Sequence, residues 1–451
     1  MDGEGTPGYI VGMARNKKFV LILTADAGFG HRSAANALAA AFRETHRNES
    51  TCQIVNVLDD PQTPRGLRES QADYDHLARN MPDLYKIGYK ATDANAPKTI
   101  IERGMQAMLY GVMRRILMEK RPDLIVSTYP LYPAPLGAVF TLTKKFVPLV
   151  SVVTDLETVH QIWFNAYPDL IIVPTRAVRT LALAAKVPSR KIAVIGIPVH
   201  PDYSEEKRSK AEIREALGWE RRLTTILITG SRRSRLYLEA ADILNHSGLP
   251  IQLIVVAGGD DEGYARLRRM TWHRPAHVYY FVKNMPTMMR AVNGIICKAG
   301  GLTVTESLAC GLPMLLMDVI PGQETGNADW VIRGGAGKIV TDPRDVLETV
   351  CHWLENDGAQ LKHWSANARR LGRPRAAFEI VERIWPLAAR GPVTRDPSQV
   401  LAVPRMIEFF SRYGVLEEGL HNGGRTASRA GGRNKAMSSP RKRSGRNPKK
   451  R

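Results

Sequence analysis

Two doubly wound α/β halves are what this 451-residue sequence predicts. Three patterns predict them: short unbroken apolar runs of the kind buried on both faces of a parallel sheet, helical periodicity between the runs, and glycine turns where a run passes into a helix. Runs at 19–24, 52–58, 124–128, 149–154, 170–174 and 192–198 predict the first sheet. Runs at 224–229, 251–257, 278–282, 295–297 and 314–318 predict the second. Strands alternating with helices make open parallel sheets whose ligands sit at the carboxyl edge, so candidate chemistry belongs in the turns after the strands.

Composition narrows the class. A hydrophobic share of 44% is enough for ordinary globular cores. Cys52, Cys297, Cys310 and Cys351 have neither metal-site nor disulfide spacing, which predicts reduced thiols in a cytoplasmic setting. The first residues, with Asp2 and Glu4, do not read as a secretory signal, and Lys144-Lys145 interrupt the longest apolar stretch. Membrane contact is therefore expected to be peripheral. Of the net charge of +20, eleven cations lie between Arg425 and Arg451, where no acidic residue follows Glu418, and the remainder stays near +9. That balance points to an anionic partner, a membrane leaflet or a nucleic acid.

Along the chain, the first run ends in Asp26-Ala27-Gly28-Phe29-Gly30-His31 before a helix expected over 33–42. Gly28 and Gly30 bend the backbone, and His31 falls beside a helix N-terminus, whose dipole favours the neutral imidazole, able to accept a proton. The same residue reads equally well as a hydrogen-bonded helix cap. Residues 97–121 carry Ile100, Met105, Met108, Val112 and Ile116 at helical spacing among Arg103, Arg114 and Arg115. This amphipathic helix suits either a sheet face or an anionic membrane surface. Tyr129-Pro130-Leu131-Tyr132-Pro133 offers rings for an acyl-chain groove, and 155–164 brings Asp155, His160 and Trp163 to the end of the fourth run. Asp155 is suited to orienting a base or an acceptor hydroxyl, with His160 a lesser candidate, though both also read as satisfied loop residues.

The richest stretch is 297–337. A strand ending at Cys297 leads to Gly300-Gly301 and a helix beginning at Leu302, whose free N–H groups offer a site for a diphosphate. Thr303 and Thr305 add hydroxyls, and Glu306, one turn on, is suited to the two hydroxyls of a ribose. Gln323, Glu324 and Asn327, after Pro321-Gly322, are suited to sugar hydroxyls. A lone Gly-Gly before a helix would be a plain βαβ turn. The combination of turn, helical glutamate and Pro-Gly-Gln-Glu loop resembles the nucleotide-sugar half of GT-B glycosyltransferases. More narrowly, it resembles the monogalactosyldiacylglycerol synthases and processive diacylglycerol glucosyltransferases.

The resemblance covers roughly residues 18–385. It implies a GT-B fold, with UDP held by Gly300, Gly301, Thr303 and Glu306 and the donor sugar by Gln323, Glu324 and Asn327. It implies that His31 is the general base, although Phe29 stands where many relatives have glycine. It also implies that Gly230 and Ser231 approach the donor phosphates, in a loop where Arg232 and Arg233 replace the relatives' glycines. Arg232 reads as a bidentate diphosphate partner or as a solvated side chain. Phe281 and Val282 lie where the family's backbone reads the uracil edge, and Gly196-Ile197-Pro198 resembles its hinge. The Thr-Asp-Leu…His…Trp-Phe stretch matches the acceptor side, where Gly28, Gly30, Tyr129, His160 and Trp163 would meet diacylglycerol.

The expected layout is a flexible segment over 1–17, an acceptor domain over 18–200, a UDP-sugar domain over 201–390, a linker with a short amphipathic helix over 391–420, and a disordered basic tail over 421–451. The expected reaction is inverting transfer of a galactose or glucose from its UDP-sugar to diacylglycerol, on the inner face of the cell membrane. Anionic lipids are the expected partner; metal, resident cofactor and nucleic acid are not expected. Other readings use parts of the same pattern: transfer to a polyprenyl-linked precursor, UDP-sugar epimerisation, and nucleic-acid binding through the tail.

Overall fold

A computed structural model of the chain describes residues 17–26, 29–69, 95–232, 234, 236–320 and 324–394. Gly28, Arg233, Gln323, most of the N-terminal segment, nearly all of the expected linker and the whole basic tail lie outside the described residues. The first sheet is parallel, in the order β2 (Ser50–Asn56), β1 (Lys18–Thr24), β3 (Leu124–Ser127), β5 (Leu149–Val152), β6 (Leu170–Val173) and β7 (Ile192–Val194). The second is also parallel, in the order β10 (Ala276–Tyr279), β9 (Ile251–Val256), β8 (Thr224–Thr229), β11 (Gly294–Lys298), β12 (Met314–Met317) and β13 (Gly337–Ile339). Its order reverses between β8 and β11, the switch point at which doubly wound sheets bind ligands. A two-residue ribbon pairs β4 (Lys145–Phe146) with β14 (Val393–Thr394), so the expected linker begins with a paired strand.

The two-residue period of each strand explains the layers. In β1, Val20 and Ile22 share a core with Leu38 and Phe42 of α1 (Phe29–Thr45). Leu21 and Leu23 face the other way, toward Met105, Leu109, Met113 and Ile116 of α2 (Asn95–Lys120) and Leu136 of α3 (Pro133–Thr143). In the second sheet, Ile226, Ile228 and Ile296 pack on α4 (Leu236–Asn245), while Leu227 and Ile295 pack on α5 (Gly301–Ala309). Beyond it come α6 (Thr325–Arg333) and α7 (Pro343–Leu354).

Two expectations change here. The last helix, α8 (Ala376–Arg390), is expected in the second half, yet its Phe378, Ile380, Val381 and Ile384 complete the core of the first sheet. The crossing is tight: Gly196 has φ +147°, and a Cβ there would stand 3.0 Å from the Arg373 Cβ and 3.1 Å from that of Ala376. The second change concerns α2. Met105 and Val112, candidates for membrane burial, are 4% and 3% exposed in the core, because the far face of the first sheet would otherwise meet water. Arg115 is committed to Asp60 and Glu119. Ile100, Met108 and Met118 point outward, at 72%, 42% and 58% exposure. Among the described residues, no helix is long and apolar enough to cross a membrane.

Candidate active site

The carboxyl ends of the two sheets meet where the loop after β5 touches the turn after β11. A Cβ on Gly301 would lie 2.7 Å from the Thr154 carbonyl oxygen and 3.7 Å from Asp155 Oδ1, so only glycine allows this approach. In the first turn of α6, a Cβ on Gly326 would lie 2.5 Å from the Thr158 backbone nitrogen. Arg333 pairs with Glu157 across the same seam.

His31 sits in the first turn of α1, which begins earlier than expected, at Phe29. Its backbone oxygen accepts from Thr128 Oγ1 at 3.0 Å, fixing the turn to the end of β3. Its Nδ1 lies 3.1 Å from Thr154 Oγ1, which leaves Nε2 as the nitrogen available to a substrate. The Tyr129 ring meets it edge-on at 5.2 Å and the Trp163 ring lies at 6.0 Å. Burial lowers its pKa to about 4, against a backbone hydrogen bond at Thr128 that raises it. The helix N-terminus acts in the same direction as burial. Gly30 has no atom within 4 Å of a built Cβ, so packing does not require glycine there.

Asp155 is half-buried beside Trp163, which donates to its carboxyl. Burial and then the charge of Glu324 push its pKa up to about 7, and the Trp163 bond offsets part of that. Burial also raises the Tyr129 phenol to about 12, so it remains a neutral donor. His160 Nδ1 accepts from the Ile162 N–H at 3.2 Å and caps the short turn Gln161–Trp163, the structural role that the sequence also allowed.

On the opposite wall, α5 starts at Gly301 and its cap residue Gly300 supplies no side chain, leaving first-turn N–H groups to an incoming anion. Thr303 is half-buried at that turn. Thr305 does not serve it, because its hydroxyl donates to the Gly301 carbonyl at 2.6 Å inside the helix. Glu306 accepts from Tyr203, and burial pushes its carboxyl up to about 8 against that bond. Glu324 Oε2 accepts from the Ile320 N–H at 3.0 Å, while its Oε1 is 3.8 Å from a Cβ built on Gly300. The glutamate therefore overhangs the Gly-Gly turn.

Two further expectations change. Asn327 does not face the cleft: it is 1% exposed, its Oδ1 accepts from the Leu156 N–H at 3.0 Å and its Nδ2 donates to the Ala299 carbonyl at 3.1 Å. Arg232 donates to the Gly259 carbonyl at 2.8 Å and Asp261 at 2.7 Å, an exposed ion pair that holds it against the neighbouring turn. Gly230 is dictated by packing, since a Cβ there would enter the Tyr237 ring at 2.5 Å, and Ser231 beside it is half-buried. Phe281 lies just past β10 with 59% of its surface exposed, and Val282 is partly buried against the core. Sequence reasoning missed Thr154 and Tyr203, the hydrogen-bond partners of the two central groups. The one available signal was that Thr154 immediately precedes Asp155. Among the described residues, no group of three or more His, Cys, Asp or Glu is placed to hold a metal.

The monogalactosyldiacylglycerol (MGDG) synthase family matches residues 31–199, and the glycosyltransferase family 28 C-terminal domain matches residues 225–340. A probable chloroplastic monogalactosyldiacylglycerol synthase of Glycine max is 33% identical over 86% of this chain and 74% of its own. Monogalactosyldiacylglycerol synthase 1 of Arabidopsis thaliana is 32% identical over the same shares. Among solved structures, Acinetobacter baumannii MurG has a TM-score of 0.52 at 16% identity, covering 82% of this chain and 99% of its own. The S. aureus MnaA-UDP co-structure has 0.53 at 13%, covering 81% and 96%. These neighbours share the GT-B fold that the two parallel sheets form. With family matches in both halves and this identity across most of its length, the chain belongs to the monogalactosyldiacylglycerol synthase family of glycosyltransferases.

Proposed function

We propose that the protein transfers a hexose from a UDP-sugar to the primary hydroxyl of diacylglycerol, with inversion. The observation that carries this reading is the meeting of His31, held by Thr154, with the uncapped helix N-terminus at Gly301, which touches the same Thr154. His31 Nε2 takes the hydroxyl proton as the acceptor oxygen forms its bond to the anomeric carbon. The bond from that carbon to the diphosphate breaks, and the N–H groups of α5 hold the departing charge. A neutral imidazole is required, and the low pKa in the free cleft keeps it so. The diphosphate raises that pKa on binding, since a nearby anion favours the protonated ring. Asp155 and Tyr129 stand where the acceptor's glycerol end would be oriented, with Trp163 behind them.

Galactosyl transfer to diacylglycerol is what the relatives' names describe, and that supports the acceptor and a hexose donor. The test is incubation with labelled UDP-galactose or UDP-glucose and diacylglycerol vesicles, followed by separation of the lipids. Labelled monohexosyl diacylglycerol is expected from one donor. Label on a polyprenyl-linked acceptor alone, or an epimerised UDP-sugar with no transfer, would overturn the reading.

The acceptor is a lipid, and the outward face of α2 offers the contact: Ile100 and Met108 are exposed on the helix that carries Arg103 and Arg114. Apolar insertion and cation attraction act together in such peripheral binding, here placed at a cytoplasm-facing leaflet. The double variant Ile100→Asp and Met108→Asp should sediment with anionic vesicles several-fold less than the unaltered protein, with its melting temperature nearly unchanged. Met105→Asp should instead unfold the first half, because that side chain is in the core. Undiminished sedimentation of the double variant would remove α2 as the contact.

A further inference from the structure

We propose that Asn327 is a positioning residue: its side-chain amide bolts the acceptor-side loop at Leu156 to the donor-side turn at Ala299, fixing the distance between His31 and the bound sugar. The proposal rests on the transfer reading above. It departs from the role the sequence suggested for this side chain, which was to read the donor's hydroxyls.

Each polar atom of the amide is engaged by a backbone group. Oδ1 accepts from the Leu156 N–H at 3.0 Å, Nδ2 donates to the Ala299 carbonyl at 3.1 Å, and the residue is 1% exposed. The two backbones it joins belong to different sheets. Ala299 immediately precedes Gly300-Gly301, the anion-binding turn. Leu156 lies two residues after Thr154, whose hydroxyl holds the His31 ring. The packing around the amide is equally close: Gly301 abuts the Thr154 carbonyl and Gly326 abuts Thr158, contacts that a single methyl group would break. Only a neutral group with one donor and one acceptor fits between a backbone N–H and a backbone C=O. An amide does so at any pH, whereas a carboxylate would face the Ala299 oxygen without a proton to give.

Reactions between two held partners are sensitive to small displacements, so loosening this joint should affect turnover before binding. Asn327→Ala should lower kcat about 10-fold while the affinities for UDP and for the UDP-sugar both stay close to those of the unaltered protein. Asn327→Asp gives a signature that general destabilisation cannot give. A protonated aspartic acid can accept from Leu156 and donate to Ala299, so the activity of N327D relative to the unaltered protein should rise as pH falls, while that of N327A stays flat. Amide hydrogen exchange in residues 154–158 should be faster in N327A, a readout that needs no acceptor. Four results would overturn the proposal: normal kcat in N327A, a UDP-sugar affinity that falls while UDP affinity does not, a pH-independent N327D ratio, or unchanged exchange at 154–158. If the unaltered protein transfers no hexose, the transfer reading fails by itself, and the exchange measurement still decides whether Asn327 ties the two loops.

Discussion

Replacing His31 with alanine should lower turnover about 100-fold or more while UDP affinity stays close to that of the unaltered protein. The imidazole belongs to the first half and contributes nothing to the helix N-terminus of α5, so binding and chemistry separate cleanly in this variant. Its surroundings argue for the base rather than the cap: Nδ1 is engaged by Thr154 Oγ1, and rings of Tyr129 and Trp163 wall it in. A side chain serving only as a cap would cost stability, not turnover. Stability carries its own pH signature. Burial holds the folded-state pKa near 4, below the ordinary 6.5, so between these values the unfolded chain binds more protons than the folded one. Stability therefore falls as pH drops from about 6.5 toward 4, by up to about 1.4 kcal/mol for every pH unit crossed. Melting curves at pH 7 and pH 5 should show a smaller drop in the His31→Ala variant than in the unaltered protein. Near-normal turnover in that variant would end the assignment.

The parts of this arrangement that the sequence revealed are those set by local pattern. Buried strands announce themselves as runs of Val, Ile and Leu, and the Gly300-Gly301 turn is written beside the helix it opens. What escaped depends on distant partners. Residues 376–390 are amphipathic whichever sheet they cover, and only the close passage at Gly196 shows that they return to the first. Arg232, in the turn after β8, and Asn327, in the first turn of α6, are polar residues beside the expected donor site, and a sequence does not tell a ligand-reading group from one committed to Asp261 or to the Leu156 backbone. β10 begins at Ala276, two residues earlier than the apolar run suggested, because its pairing with β9 sets its ends. The role of Thr154 escaped for a related reason: its hydroxyl matters because a histidine 123 positions earlier folds against it.

Glu306→Gln should weaken UDP binding by about 1.5 to 3 kcal/mol, the usual worth of hydrogen bonds to a charged group. The carboxyl stands one turn into α5, past the first-turn N–H groups that would hold the diphosphate, which is the place for a ribose. In the free cleft, burial holds its pKa near 8, with the Tyr203 hydroxyl donating to it, so at pH 7 the group is largely protonated. Two ribose hydroxyls donating to it favour the ionised form, so binding should expel a proton. The sign follows: the complex has the lower pKa, and affinity should rise with pH until the free protein has lost the same proton, near pH 8. Titration calorimetry in buffers of different ionisation enthalpy would detect that proton. Glu306→Gln should abolish both its release and the pH dependence, since an amide does not titrate. Tyr203→Phe should move the free carboxyl's pKa further up and enlarge the release at pH 7, because the hydroxyl now lowers it. UDP binding with no proton release and no loss in Glu306→Gln would remove Glu306 from the ribose site.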